Sequence, residues 1–172
     1  YLIAKTAYQS GAKVILISGP THLKPPDSVK TIFVQSAQNM YDSVMKYFHQ
    51  TDIFISAAAV SDFRLKKILK HKLKKKTTVL KLVPTPDILS EISYLNSKLK
   101  TENSKLIVGF ALETENLLSN AIAKLKNKNL DLIIANPVES IGSKYTRGLI
   151  IDTYSNVSKI PVVTKKHLAH II

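Results

Sequence analysis

The 172-residue sequence contains no cysteine. A disulfide framework, a thiolate zinc site and a cysteine nucleophile are therefore excluded, and the composition fits a reducing cytosol. Long apolar runs are missing too. Lys, Asn or Ser cuts every hydrophobic stretch well short of the ~18 residues that a membrane span needs. The stretch from Tyr1 to Ala12 lacks the charged-then-apolar layout of a signal peptide. Acidic residues are few, 12 against 25 Lys+Arg, for a net charge of +13. Arginine is scarcer still, with Arg64 and Arg147 alone, so the basic excess is almost entirely lysine. Base readout and stacking favour arginine and interleaved aromatics, yet the lysine stretch holds no aromatic after Phe63. Nucleic-acid binding is therefore a runner-up to nucleotides and phosphorylated metabolites, and the second reading is a non-catalytic basic α/β protein that binds nucleotides, nucleic acid or another anionic partner. G-x-G-x-x-G, Walker A and G-x-S-x-G motifs are all absent, and His22, His49, His71, His167 and His170 show no metal-ligand spacing.

What is present is a core. A hydrophobic fraction of 45% supports one folded domain over residues 1–172. Val14 to Ser18 is a β-branched apolar run that reads as a strand buried on both faces, preceded by a helix that Gly11 caps. Thr31 to Val34 and Asp52 to Ser56 read as further strands, with a helix between them capped by Ser36. Thr85-Pro86-Asp87 predicts a helix start with Thr as the cap, Pro at the first position and an acid at the positive end of the dipole. Leu106 to Phe110 and Leu130 to Ala135 are buried strands flanking a helix around Leu118 to Leu125. Leu149 to Ile151 and Pro161 to Val163 flank the turn signal Ser155-Asn156, which predicts a hairpin, and Thr164 caps a last helix. Short strands alternating with helices indicate βαβ units and a three-layer, mostly parallel α/β fold. Ligands on such sheets sit at the carboxyl ends of strands. That places Gly19, Ser56 to Asp62, Gly109 to Glu113 and Asn136 among the candidates.

Each candidate also has an ordinary structural use. The small residues Ser56 to Ala59 let a flat ring lie against the backbone, and they equally suit close helix–sheet packing. Asp62 suits a sugar hydroxyl, Mg²⁺ or a lysine. Phe110 suits a ligand ring or the core. Lys124 and Lys128 lie one helical turn apart, facing an anion or solvent.

Taken in chain order, the segments are more specific than any one of them. "VILISGP" from Val14, "AAAVSDFR" from Ala57, "HKLKK" from His71, "TPDIL" from Thr85, "VGFALET" from Val108 and "KNLDLIIAN" from Lys128 resemble one family in order and spacing. The resemblance is to the phosphopantothenate–cysteine ligase (phosphopantothenoylcysteine synthetase) domain of coenzyme A biosynthesis. It covers nearly the whole chain, with Thr85 where Asn is usual and Pro137 after Asn136 where Asp is usual.

The resemblance implies a Rossmann-like sheet with a lysine-rich flap, a cytoplasmic homodimer and a decarboxylase domain or protein as partner. It implies ligation of 4′-phosphopantothenate with cysteine at the expense of CTP, with Mg²⁺, through an acyl-cytidylate. Residue by residue it implies nucleotide contacts at Ser56, Ala57, Ala58, Asp62, Lys72, Pro86, Asp87, Ile88, Leu89, Phe110, Lys124 and Lys128, with Lys72 catalytic. It also implies a strand and a Ser-Ser-Gly loop bearing a catalytic Asn ahead of the helix in which Tyr1 falls. The 172 residues alone are then expected to bind CTP weakly and not to ligate, and strand edges are expected to stand unpaired.

Overall fold

The computed structural model describes residues 1–67 and 79–172. The lysine-rich segment that contains His71, Lys72 and Lys74 to Lys76 therefore lies outside the described residues.

The chain enters through α1 (Leu2–Gln9), which Gly11 closes with a φ of 91°. β1 (Ile15–Ser18) and β2 (Lys30–Phe33) then pair in parallel as a sheet of their own. α2 (Ala37–Phe48) begins where the Ser36 hydroxyl accepts the Asn39 amide at 3.1 Å. It returns the chain to β3 (Ile53–Ser56). β4 (Phe63–Leu65) and β5 (Leu82–Pro84) form a small antiparallel pair. α3 (Ile88–Ser97), β6 (Leu106–Glu113), α4 (Leu117–Asn127) and β7 (Leu132–Pro137) follow. The chain finishes with the expected hairpin of β8 (Tyr145–Asp152) and β9 (Val157–Thr164), then α5 (Lys165–Ile171).

The central sheet has five strands in the order β3-β6-β7-β8-β9. Its β3, β6 and β7 run parallel, while β8 and β9 are antiparallel additions. Side chains alternate across β6 and sort into two layers. Ile107 and Ala111 face a core built with Val44 and Phe48 of α2, Ile88, Leu89 and Ile92 of α3, and Ala121 and Leu125 of α4. Val108 and Phe110 face the opposite cluster, with Ile134, Ile160 and Leu168 of α5. The three layers match expectation.

Two expectations are corrected. The apolar run predicts β1 buried on both faces, but Ile15, Leu16 and Ile17 are only half-buried. Among the described residues β1 pairs with β2 alone and β3 with β6 alone, so each keeps an unpaired edge. What joins the two sheets on one side is α2, whose core includes Ile17 of β1 and Phe54 of β3. The ring of Phe54 meets Phe48 edge-on, with centroids 6.4 Å apart. Second, Gly109 to Glu113 lie within β6 rather than past its end, because β6 continues to Glu113 along β7.

Polar side chains fix the amino ends of the inner strands. Asp131 accepts the Ile107 amide at 2.7 Å, and the Asn96 side chain clasps the Lys105 backbone through two bonds of 2.8 Å. At the other end the ladder between β8 and β9 shifts register between Thr146 and Gly148. A Cβ on Gly148 would lie 2.0 Å from the Ala135 carbonyl oxygen, so only glycine permits this approach of β8 to β7.

Candidate nucleotide site

Four segments that are distant in sequence meet beside the β3–β6 pair. Ser56 ends β3 opposite Gly109 of β6, and Ala57 to Ala59 continue from it as an exposed strand exit. Gly109 matters here for what it lacks. A Cβ would stand 2.6 Å from Leu130 Cδ1, so glycine lets Leu130 pack onto the strand, while Leu89 Cδ2 in the first turn of α3, 3.6 Å away, would be at ordinary contact distance. The loop after Ala59 is tied to the approach to α3. The Thr85 amide donates to the Asp62 carbonyl at 2.9 Å, and the Thr85 hydroxyl donates to the Ser61 carbonyl. Asp62 itself presents an exposed side chain on this loop.

The start of α3 differs from the sequence expectation. Asp87, not Thr85, is the cap, with its carboxylate accepting the Ser90 amide at 3.1 Å and the Ser90 hydroxyl at 2.9 Å. Thr85 is spent on the Ser61–Asp62 loop. The carboxylate is also the better acceptor for the exposed amides of a helix start. Pro86 precedes the cap, and Ile88 and Leu89 are buried in the core.

Lys128, which closes α4, reaches across to this cap. Its ammonium is ion-paired with Asp87 and donates to Ser90 Oγ at 2.9 Å. The side chains are 30% and 51% exposed for Lys128 and Asp87 respectively, so the pair sits at the rim and not in the interior. Burial pushes the Asp87 carboxyl up. The hydrogen bond from Lys128 and the two from Ser90 outweigh it and hold the group below the ordinary carboxylate value. Next to the pair lies a cavity of about 260 Å³, bounded by Ser90, Ser93, Tyr94 and Ser97 of α3 and by Asn127 to Asn129.

Lys124 takes a different partner, donating to the Phe110 carbonyl at 2.8 Å. The Phe110 ring packs on the opposite layer, so strand and lysine meet through backbone only. Thus Asp62, Asp87, Leu89, Lys124 and Lys128 belong to one neighbourhood, while the ring of Phe110 faces away and Lys72 lies outside the described residues. Ser90 was not singled out from sequence, although its place three residues after an Asp is the spacing of a helix cap. Asn136 proves to be occupied by the fold. It is buried, and its amide donates to Thr146 Oγ1 at 2.9 Å and to the Arg147 carbonyl at 2.8 Å, holding the irregular turn of β8.

Among the described residues no three His, Asp or Glu groups gather as a metal cage. Asp62 is the exposed carboxylate on the nearby loop, the kind of single oxygen ligand that would suit Mg²⁺ arriving on a phosphate group.

Comparison with known proteins bears on the family and the fold. The family model described as the DNA/pantothenate metabolism flavoprotein C-terminal domain matches residues 1–172. The coenzyme A biosynthesis bifunctional protein CoaBC of Borreliella burgdorferi is 38% identical over 173 residues, covering 98% of this chain and 43% of that protein. A crystal structure of the C-terminal domain of a coenzyme A biosynthesis bifunctional protein CoaBC superposes with a TM-score of 0.81 at 34% identity, over 99% of this chain and 76% of that one. A Cab2 variant in complex with phosphopantothenate-cysteine shares the fold at a TM-score of 0.59 and 21% identity, over 77% of this chain and 47% of that one. The chain spans less than half the length of the CoaBC relative from Borreliella burgdorferi. With the full-length family match, the high identity and the shared fold, the chain belongs to the DNA/pantothenate metabolism flavoprotein C-terminal domain family.

Proposed function

We propose that this domain joins 4′-phosphopantothenate to cysteine at the expense of CTP, as a step in coenzyme A biosynthesis. The observation that carries the reading is the meeting of the Ser56–Asp62, Thr85–Leu89, Gly109–Phe110 and Lys124–Lys128 segments around one strand exit. In the proposed reaction the carboxylate of phosphopantothenate attacks the α-phosphorus of CTP and pyrophosphate leaves. The cysteine amine then attacks the acyl carbon and CMP departs with the bonding pair. Both events crowd negative charge, which fixed cations stabilise. Lys72 and Lys128 supply such charge from this chain. Lys124 holds the β6 backbone at Phe110, and the small residues Ser56 to Ala58 leave room for a ring against the strand exit. Mg²⁺, when bound with the nucleotide, neutralises the phosphates.

A homodimer and a decarboxylase domain or protein are part of the same proposal, as is an Asn-bearing phosphate loop carried on a strand that pairs with the open edges of β1 and β3. The test is a turnover assay on the full reading frame, with release of CMP and pyrophosphate followed by chromatography. Product must require CTP, phosphopantothenate and cysteine together. A parallel thermal-shift series separates the second reading. CTP should stabilise the protein, and duplex DNA should not. Greater stabilisation by DNA, falling steeply with salt, defeats the ligase reading.

A further inference from the structure

We propose that Asp87 and Ser90 are positioning residues for Lys128, acting on the nucleotide through that ammonium. The inference rests on the nucleotide reading above and gives these two side chains a role distinct from direct contact. Lys128 ends a helix, where the flexible stem of a lysine would ordinarily sweep through solvent. Here two of its three donors are fixed, one on the Asp87 carboxylate and one on Ser90 Oγ. Ser90 is itself held, because it donates to the same carboxylate at 2.9 Å. The three side chains close a ring that spans 41 residues of sequence and joins the end of α4 to the start of α3. Among the described residues the third donor has no partner, and it lies at the edge of the cavity between the two helices. An ammonium fixed in advance loses less freedom when an anion arrives, so binding is stronger than to a freely moving lysine.

The alternative is that Asp87 merely caps α3, or touches the nucleotide itself. Asp87→Asn separates these possibilities, since Asn caps a helix about as well as Asp but gives up the charge. CTP affinity of the full reading frame is measured by calorimetry for the wild type, Asp87→Asn, Ser90→Ala and Lys128→Ala, and for each of the first two changes combined with Lys128→Ala. For a rim-exposed pair we expect Asp87→Asn to weaken CTP roughly three- to tenfold and Ser90→Ala about two- to threefold. Both losses should shrink to less than about twofold in the Lys128→Ala background. Equal losses in both backgrounds overturn the inference.

A second readout does not depend on the nucleotide. Acetylation of Lys128 by an N-hydroxysuccinimide ester, followed by mass spectrometry, should quicken severalfold in Asp87→Asn and in Ser90→Ala, with exposed Lys126 unchanged as the internal control. Absence of CTP binding in the wild type defeats the nucleotide reading. An unchanged acetylation rate at Lys128 defeats the positioning inference, whatever the nucleotide does.

Discussion

Adding one methyl group at Gly109 tests how tightly the site is built into the fold. Its Cβ would lie 2.6 Å from Leu130 Cδ1, about 1 Å inside an ordinary carbon–carbon contact. Leu130 is only 3% exposed, so it has no open solvent to turn into. Leu89 Cδ2, 3.6 Å away, would already touch the new methyl at ordinary contact distance. Overpacking of this kind costs about 1–3 kcal/mol. At about 2–4 °C per kcal/mol for a domain of this size, Gly109→Ala should lower Tm by about 2–12 °C. The compensating change is known in advance. Leu130→Ala alone should cost about 2–5 kcal/mol by leaving a cavity. In the double variant the new methyl enters that space, so the two costs should fall short of their sum by at least about 1 kcal/mol. Urea denaturation of the four proteins gives the coupling directly. Additivity within about 0.5 kcal/mol would refute the claim that Gly109 exists to admit Leu130.

Three further outcomes are expected. Asn136→Ala removes one buried and one partly buried hydrogen bond, leaving Thr146 its contact with Ser140, and should cost about 1–3 kcal/mol in urea denaturation, while CTP affinity of the folded fraction stays within twofold. A large affinity loss at unchanged stability would instead make Asn136 a ligand. Because the folded Asp87 pKa lies below the ordinary 3.8, its contribution is complete above that value and lost as pH falls through the lower folded value. Exposure limits this contribution to under about 1 kcal/mol, so Asp87→Asn should trail the wild type by that much at pH 6 and match it in strong acid, and a gap independent of pH contradicts the assignment. Finally, in the complete enzyme Lys72→Ala should weaken CTP binding or block acyl-cytidylate formation, followed by calorimetry and pyrophosphate release, far more than Lys75→Ala. Equal, small effects would reduce the lysine stretch to a diffuse field.

Much of this architecture is written in local patterns. Apolar β-branched runs gave the strands of the parallel sheet, and single side chains gave the ends of helices, as Ser36 and Thr164 show by accepting the amides of Asn39 and His167. Ser155, with a φ of 65°, sits in the hairpin turn its Ser-Asn signal announced. What stayed hidden depends on partners far away in sequence. β4 has three exposed residues and becomes a strand only by pairing with β5 across the lysine-rich segment. Thr85 looked like a cap because nothing local reveals that Ser61 and Asp62 engage it first. Lys124 and Lys128 share a face by spacing, yet one bonds a strand carbonyl and the other a helix cap. Ser90 and Asn136 work through hydrogen bonds that periodicity does not encode.

The division of the strands into two sheets has a dynamic consequence. The β1–β2 pair is coupled to the central sheet by side chains of α2 and by the Tyr1–Ser18 contact near α1, which rests on α5, and no backbone ladder joins it to β3 among the described residues. Ladders transmit cooperativity, and side-chain packing across one face transmits less of it. In the 172 residues alone, the amides of Leu16 and Ile17 should therefore exchange with deuterium through a local opening of lower free energy than global unfolding, while those of Ile133 and Ile134 wait for the whole domain to open, and a strand paired with both open edges should remove that difference. One domain would then carry two opening energies, and the weaker would belong to the strands at the open edge.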